Sequence, residues 1–181
     1  MNNELSQVLV LNGGSSSGKT TLARHLQDVL NGYWLRLGVD TLIEAAPHKL
    51  FGNGGLDLAE DGGVAVGPAF VKVESQWMAG IAAMAAAGAH VIVEDNFVSG
   101  PTAQERWRKA LHGLVVGWVG VRCAPETVAA REECRPDRIA GMAASQAESV
   151  HKGITYDLVV DTGLTGPDEL ARIVRAHFFH D

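Results

Sequence analysis

Five apolar runs alternate along the chain with segments whose apolar residues recur at the spacing of a helix face. After the first run, residues 22, 26, 29 and 30 show this spacing, and residues 68–87 form a long alanine-rich stretch before Gly88. The runs cover residues 7–12, 34–39, 90–94, 115–122 and 157–161. Apolar strands that alternate with amphipathic helices are typical of a parallel sheet buried on both faces. The pattern predicts an α/β fold with a five-stranded parallel sheet and helices on both faces.

Local signals predict where several helices begin. Pro125 and Pro167 each stand where a first helical turn would start. Residues 102–105 fit a capping box that follows Pro101, which predicts Thr102 as the cap of the next helix.

Residues 52–68 contain six glycines among 17 residues and interrupt the regular alternation. One interpretation is a surface loop, or a hairpin that turns at Asp61-Gly62-Gly63. The other is a mobile flap over an acceptor pocket, because long loops in compact domains are often lids. The sequence leaves both interpretations open.

The turn after the first predicted strand carries a phosphate-binding motif. Residues 13–20 fit G-x-x-x-x-G-K-[ST] between an apolar strand and an amphipathic helix. Backbone N–H groups at the glycines and the positive end of the helix suit phosphate oxygens. Lys19 is expected to reach the β- and γ-phosphates, and Thr20 to bind Mg²⁺. A P-loop NTPase fold is therefore predicted, whose nucleotide-binding residues are Gly13, Gly14, Ser15, Ser16, Ser17, Gly18, Lys19, Thr20 and Thr21.

Two carboxylates end the third apolar run. Glu94 and Asp95 follow His90-Val91-Ile92-Val93, as acids follow the strand of a Walker B element. Either could hold Mg²⁺ near Thr20, directly or through water. A strand-end acid that caps the next turn is the alternative. The sequence does not rank the two residues.

Asp40 ends the second apolar run. The carboxyl ends of parallel strands line one crevice, so Asp40 and the phosphate-binding loop are expected to open onto the same edge. There a carboxylate could accept the proton of an attacking hydroxyl or orient that hydroxyl. An N-cap of a helix beginning at Thr41 is a compatible alternative.

Arginines cluster between residues 131 and 138. Arg131, Arg135 and Arg138 surround Pro136, which predicts a lid whose guanidinium groups contact phosphate oxygens. The alternative is a solvated face on which the arginines pair with Glu132, Glu133 and Asp137, where each pair would contribute about 0–1 kcal/mol.

Composition narrows the class of protein. The 181 residues are expected to form one domain, 1–181, with the mobile loop near 52–68 and the arginine lid near 131–138. A net charge of −6 without a basic run argues against nucleic acid as a partner. The chain lacks apolar runs of membrane-spanning length and a basic N-terminus, and Cys123 and Cys134 lack metal-ligand spacing. A cytoplasmic protein is expected, of undetermined oligomeric state.

Short segments spread along the whole chain match one family of small kinases. Several of them are specific to that family, because nucleotide kinases in general lack them. The matching segments are LNGGSS (11–16), GVDTLIEA (38–45), DGG (61–63), VGP (66–68), QERWR (104–108), WVGVRC (118–123), RIAGMAA (138–144), VH (150–151), YD (156–157) and VDT (160–162). With these segments the chain resembles, over nearly its whole length, the chloramphenicol phosphotransferase family of small P-loop kinases. Substrate contacts are expected between residues 44 and 67, and within that segment residues 51–55 match no motif of the family. Glu94 also departs from the family, because paired aspartates are expected at Glu94 and Asp95.

The resemblance implies ATP- and Mg²⁺-dependent phosphorylation of a primary hydroxyl on chloramphenicol, which inactivates the antibiotic. It implies that Asp40 is the catalytic base and that Lys19 and the lid arginines hold phosphates. It also implies that the loop beginning at Asp161 and Thr162 lies near the adenine. Trp77 and residues 97–98 could form apolar walls for an aromatic acceptor, or could simply be core residues.

Two rival functions remain open from the sequence. One is a metabolic kinase for a different small alcohol, such as a sugar, a shikimate-like acid or a nucleotide, although only His48, Lys49 and Lys72 offer positive charge between residues 44 and 75. The other is a nucleotide-dependent switch or hydrolase without an acceptor. The N-K-x-D motif of a GTPase is not in the sequence.

Overall fold

The helices and strands follow one another as α/β units, with one short hairpin inserted after the second strand. The computed structural model describes residues 6–52, 54–59, 63–134 and 141–179. In chain order the elements are β1 (Val8–Asn12), α1 (Lys19–Val29), β2 (Trp34–Gly38), α2 (Val39–Ala45), a 3-10 turn (His48–Leu50), β3 (Leu56–Leu58), β4 (Val64–Val66), α3 (Pro68–Ala86), β5 (His90–Asp95), α4 (Pro101–Ala110), β6 (Val116–Arg122), α5 (Pro125–Glu133), α6 (Met142–Ser149), β7 (Leu158–Asp161) and α7 (Pro167–Phe178).

Five strands form a parallel sheet in the order β2-β5-β1-β6-β7. β1 lies at the centre, where Asn12 pairs with Asp95 of β5 on one side and with Gly120 of β6 on the other. On the far side of β5, Gly38 of β2 pairs with Glu94. This register brings the carboxyl ends of β1, β2 and β5 to one edge of the sheet. The predicted five-stranded parallel sheet is confirmed, and each predicted strand matches the observed one to within one residue at either end.

Alternate residues of β1 point into two hydrophobic cores, because successive side chains of a strand face opposite sides of the sheet. Leu9 and Leu11 pack with α1 and α7 on one face. Val8 and Val10 pack on the other face with α3 and α4, whose Trp107 is 2% exposed. Helices therefore cover both faces, as predicted. Within the described part of the chain, no helix, including the 19-residue α3, is long and apolar enough to cross a membrane.

A third, smaller hydrophobic cluster lies apart from the two cores of the sheet. It joins α2, the 3-10 turn, the hairpin and the start of α3 through Leu42, Leu50, Leu56 and Phe70. The hairpin consists of β3 and β4, which pair antiparallel. The glycine-rich segment is thus a hairpin with an apolar face. Residues 60–62, which include Asp61 and Gly62 of the expected turn, lie outside the described residues.

Two helix starts differ from the sequence-based expectations. α4 begins at Pro101 with Gly100 as its N-cap, so Thr102 is not the cap. The fixed φ of proline suits the first helical position, and the Thr102 hydroxyl instead donates to the Ser99 carbonyl at 2.7 Å. The capping-box prediction was therefore wrong. The starts predicted at Pro125 and Pro167 are confirmed.

Asp40 is not an N-cap. α2 begins at Val39 with Gly38 as its N-cap, because the helix follows β2 without an intervening loop. Asp40 is consequently the second residue of the helix and lies in its first turn. This placement leaves the carboxylate at the edge of the sheet to which the phosphate-binding loop also opens.

Candidate functional site: a P-loop between two cavities

The phosphate-binding loop, residues 13–18, connects the central strand β1 to α1. Gly18 is the N-cap of α1 and has a φ of 91°, a left-handed backbone conformation that residues other than glycine rarely adopt. At Gly13 a Cβ atom would lie 2.4 Å from the Val121 carbonyl oxygen. Both glycines are therefore required by the shape of the loop as it packs against the sheet.

Polar atoms are concentrated inside the loop. Lys19 Nζ folds back and donates to the Gly13 and Gly14 carbonyls at 2.6 and 2.8 Å. The three loop serines are buried, and none of their hydroxyls has a hydrogen-bond partner among the described residues; they are Ser15, Ser16 and Ser17. Unpartnered buried hydroxyls are costly to a fold and are satisfied when an oxyanion binds beside them. The loop therefore fits a phosphate group.

Glu94, and not Asp95, contacts Thr20. The Thr20 hydroxyl donates to Glu94 Oε2 at 2.7 Å, and Arg36 Nε donates to Glu94 Oε1 at 2.7 Å. Adjacent residues of a strand point to opposite faces, so only one of the two acids can face α1. The structure thus separates two carboxylates that the sequence could not rank.

Asp95 is 5% exposed and faces α4. Trp107 Nε1 donates to one of its oxygens at 2.6 Å, and the Asn96 backbone N–H donates to the other at 2.7 Å. Burial raises the pKa of Asp95, although these two hydrogen bonds and the charges of Lys19 and Arg106 partly oppose the increase. Asp95 therefore connects the end of β5, beside the phosphate-binding loop, to Trp107 in the hydrophobic core beneath α4.

A cavity of about 310 Å³ opens on one side of the loop. Its polar wall includes Lys19, Thr20 and Asp40. Its apolar wall includes residues of the hairpin and of the third hydrophobic cluster, such as Leu56 and Phe70. Phe97 and Val98 border this cavity, whereas Trp77 packs between two hydrophobic clusters. We call this space the acceptor-side cavity.

Glu74 and Arg106 also line the acceptor-side cavity, although the sequence analysis did not single them out as site residues. Arg106 Nη2 donates to Glu74 Oε2 at 2.6 Å, and the Glu74 side chain is 10% exposed. Burial and the neighbouring Asp95 raise the pKa of Glu74, and Arg106 lowers it. The available sequence signal was the position of Glu74, which lies four residues after Phe70 and four before Met78 on the buried face of α3.

A second cavity, of about 590 Å³, lies on the other side of the loop. Ser16, Gly18 and Thr21 border both cavities. The opposite walls come from α5 and from the segment after β7, including Arg131 and Thr162. We call this space the nucleoside-side cavity. The loop therefore forms a partition between two pockets.

Arg131 and Thr162 are brought together across this second cavity. Arg131 Nη1 donates to Thr162 Oγ1 at 3.0 Å, and Nη2 donates to the Thr162 carbonyl at 2.8 Å. Thr162 Oγ1 in turn donates to the Ser17 carbonyl at 2.6 Å. Asp161 Oδ1 accepts from the Gly163 backbone N–H at 2.8 Å and stabilises the turn that follows β7. These contacts tie α5 and the turn to the phosphate-binding loop.

Part of the predicted arginine lid lies outside the described residues, namely Arg135 and Arg138. Arg131 belongs to the regular helix α5. Glu132, which the sequence suggested as an arginine partner, is 7% exposed and accepts backbone N–H groups of Gly141 and Ala143 at 2.8 Å each. It therefore holds the start of α6 against α5.

Beneath the loop, a buried polar network connects Asn12 to the segment after α6. Asn12 Nδ2 donates to the Val150 carbonyl at 2.9 Å and to the Tyr156 hydroxyl. That hydroxyl also forms a hydrogen bond with His151 Nδ1 at 2.6 Å. Burial, followed by the charges of Arg122 and Lys19, lowers the pKa of His151 to about 4.

The depressed pKa of His151 predicts a loss of stability in mild acid. Below its ordinary pKa of 6.5 the unfolded chain binds a proton at His151, while the folded protein does so only near pH 4. Protonation therefore favours the unfolded state across this window, and the free energy of unfolding falls by about 3 kcal/mol in total. Urea unfolding at pH 7 and at pH 4.5 measures this change.

The comparison of two variants isolates the contribution of His151. His151→Asn should lose much less stability between pH 7 and pH 4.5 than the wild type. His112→Asn, at an exposed histidine, should behave as the wild type does. An identical pH dependence in all three proteins would contradict the assignment.

Comparisons with known proteins agree with this architecture. The family described as "Chloramphenicol phosphotransferase-like protein" matches residues 6–179. A Mycobacterium tuberculosis protein named "Putative O-phosphotransferase Rv2636" is 32% identical over 185 residues, which cover 92% of this chain and 79% of the relative. The family resemblance seen in the sequence is confirmed.

Two solved structures share the fold. A sugar kinase from Janibacter sp. HTCC2649 superposes with a TM-score of 0.67 at 17% identity, covering 94% of this chain and 93% of that one. The tunicamycin resistance protein of Deinococcus radiodurans gives 0.66 at 18% identity, covering 97% of each chain. At these identities the likeness concerns the fold alone. Together with the family match, it establishes that this chain belongs to the chloramphenicol phosphotransferase-like family and is a P-loop phosphotransferase.

Proposed function

We propose that this protein transfers the γ-phosphate of ATP to a hydroxyl group of a small, uncharged, partly apolar molecule, with chloramphenicol as the leading candidate. The observation that carries the proposal is the pair of cavities on opposite sides of one phosphate-binding loop. A phosphate donor in the nucleoside-side cavity and an alcohol in the acceptor-side cavity would meet at the loop. A switch or hydrolase without an acceptor would not need the acceptor-side cavity.

The residues of the loop fit the triphosphate and its metal ion. The buried serine hydroxyls and Lys19 suit phosphate oxygens. Thr20 and Glu94, whose oxygens lie 2.7 Å apart, would hold Mg²⁺. The described residues contain no cluster of three or more His, Cys, Asp or Glu, and Mg²⁺ in kinases needs only one or two protein ligands beside phosphates and water. Bound there, Mg²⁺ would neutralise charge on the β- and γ-phosphates.

Asp40 is proposed to align the nucleophile. It borders the acceptor-side cavity together with Lys19 and Thr20, so its carboxylate shares a pocket with the groups that would hold the γ-phosphate. There it would accept a hydrogen bond from the acceptor hydroxyl and take up its proton as the new P–O bond forms and the bond from the γ-phosphorus to the β,γ-bridging oxygen breaks, which releases ADP. Lys19 would offset charge on the phosphoryl group. Arg131 would act from the nucleoside side, and Arg135 and Arg138 are proposed as additional phosphate-binding groups.

The charge balance of the acceptor-side cavity favours an uncharged acceptor. Its described lining carries four carboxylates and two cations, Lys19 and Arg106. Lys19 is proposed to bind phosphate, and Arg106 is already paired with Glu74. An anionic acceptor, such as a shikimate-like acid or a nucleotide, would therefore meet no cation of the described lining that is not already assigned to phosphate or paired with Glu74. The apolar wall suits an aromatic or aliphatic body, which chloramphenicol has.

The decisive test is an assay of ATP consumption with Mg²⁺, with and without chloramphenicol, followed by mass analysis of the antibiotic. A gain of one phosphate group on chloramphenicol is expected, together with acceptor-dependent ADP formation. ADP formation that is equal with and without any alcohol would instead support a hydrolase. Phosphorylation of other alcohols but not of chloramphenicol would keep the reaction and reject this acceptor.

Arg131→Met is expected to weaken ATP binding by about 10- to 100-fold, because it removes hydrogen bonds from a charged donor that order the wall of the nucleoside-side cavity. Calorimetric titration with a non-hydrolysable ATP analogue measures the effect. Arg24→Met changes the same charge at an exposed position of α1 and should bind as the wild type does. Equal affinity in both variants would remove Arg131 from the nucleotide site.

A further inference from the structure

Resting on the proposed function, we infer that the Glu74–Arg106 pair is a second acceptor-binding site. It binds an uncharged polar group, a hydroxyl or an amide, on the same molecule whose hydroxyl receives the phosphate. The preferred acceptor is therefore an amphipathic molecule that carries at least two polar groups.

The pair is placed for contact with an acceptor. Glu74 comes from α3 and Arg106 from α4, and both side chains line the acceptor-side cavity that Asp40 also borders. Apolar residues flank the pair, with Phe70 one helical turn before Glu74 and Ala103 one turn before Arg106, and the buried Asp95 is a further charged residue of the same wall. The pair consequently places a hydrogen-bond donor and an acceptor next to apolar residues that suit an apolar body.

Stability of the fold does not account for the pair. Glu74 and Arg106 are 10% and 24% exposed as side chains, so both have given up much of their hydration to form one short contact. Apolar residues of similar volume often replace a buried ion pair with no loss of stability. Contact with a ligand is therefore a better explanation for the pair than a gain in folding stability.

The hydrogen-bonding capacity of the pair is incomplete in the structure. Arg106 Nε is buried and has no hydrogen-bond partner among the described residues. The contact between the two side chains is a single hydrogen bond from Nη2 to Glu74 Oε2. A hydroxyl or an amide can donate to a carboxylate and accept from a guanidinium at the same time. A carboxylate or a phosphate would satisfy Arg106 only, and would be repelled by Glu74 and Asp95.

The test measures kcat/KM for every combination of a set of acceptors and a set of variants. The acceptors are chloramphenicol, an analogue without its benzylic hydroxyl, an analogue without its amide, simple aryl alcohols and diols, and anionic alcohols. The variants are Glu74→Gln, Arg106→Met and the double variant Glu74→Met/Arg106→Met, which exchanges the ion pair for an apolar pair. Arg108→Met is the matched control, because it lies on the same helix, is exposed and does not line the cavity.

The expected result is a change in preference between acceptors. Wild type and Arg108→Met should lose about 10- to 100-fold in kcat/KM on removal of one polar group, mostly through KM. The double variant should lose that discrimination and treat the intact and truncated acceptors alike. Loosening of the fold would lower activity on all acceptors together, so the ratio between acceptors separates binding from a structural effect.

The outcomes distinguish this inference from the proposed function. If chloramphenicol is phosphorylated but the double variant discriminates as the wild type does, the pair is not a binding site and the proposed function stands. If another neutral alcohol is the substrate, chloramphenicol is rejected and the same ratio on that alcohol decides the inference. Turnover of anionic alcohols alone, or of no member of the panel, would overturn the inference.

Discussion

Asp40→Asn is expected to lower kcat for acceptor phosphorylation by about 10²- to 10⁴-fold, which is the range for loss of a general base. Asparagine has the same shape and can still contact the acceptor hydroxyl, but it cannot take up its proton. ATP affinity should stay nearly unchanged, because Asp40 borders the acceptor-side cavity and not the nucleoside-side cavity. Steady-state kinetics at saturating ATP, with calorimetry of nucleotide binding, test both parts.

Glu44→Gln is the matched control for this experiment. Glu44 lies on the same helix, α2, is exposed and lies outside the residues that line either cavity. The variant makes the same change in charge and should retain full activity. Full activity in Asp40→Asn would remove Asp40 from the catalytic role. Equal losses in both variants would indicate that the net charge of α2 matters rather than the aligned carboxylate.

Lys19→Met is expected to reduce kcat by about 10²- to 10³-fold, by analogy with removal of one donor from a charge-stabilising site. ATP affinity should fall as well, because Lys19 is proposed to bind the phosphates in the ground state. In the structure its amine already lies within the loop, against the Gly13 and Gly14 carbonyls. Methionine is an unbranched side chain one atom shorter than lysine, and it removes the charge and the hydrogen-bond donors.

Lys72→Met provides the control for Lys19, because Lys72 is an exposed lysine of α3 that lines neither cavity. Thermal unfolding of both variants checks that the loop remains folded. Normal turnover in Lys19→Met would exclude contact between this amine and the transferring phosphoryl group. A loss of ATP affinity with unchanged kcat would limit Lys19 to ground-state binding.

The sheet could be predicted from the sequence because its strands are continuous apolar runs that end at polar residues. The phosphate-binding loop could be predicted because all of its residues are local in the chain. Contacts between residues far apart in the sequence were harder to predict. Nothing in the sequence indicated that Arg131 and Thr162, 31 positions apart, would be joined by hydrogen bonds.

The alternation of side chains along a strand explains why the sequence could not rank Glu94 and Asp95 as metal ligands. Adjacent residues of β5 face opposite sides of the sheet, and only the tertiary structure shows which side α1 occupies. The Glu74–Arg106 pair was missed for a similar reason, since its members lie on separate helices and 32 residues apart. The capping box failed because two local signals competed at one helix start, and the fixed φ of Pro101 decided the outcome.

The hydrophobic cluster formed by α2, the hairpin and the start of α3 shares no fully buried residue with the two cores of the sheet, and Trp77 packs against both this cluster and one of the cores. The part of the acceptor-side cavity wall that this cluster forms can therefore be mutated without changing the buried residues of the two sheet cores. Substitutions at Leu56 or Phe70 change the volume and shape of the acceptor-side cavity without touching the side chains that pack beneath the phosphate-binding loop. Libraries restricted to this cluster should therefore yield folded proteins with altered acceptor range and unchanged nucleotide affinity.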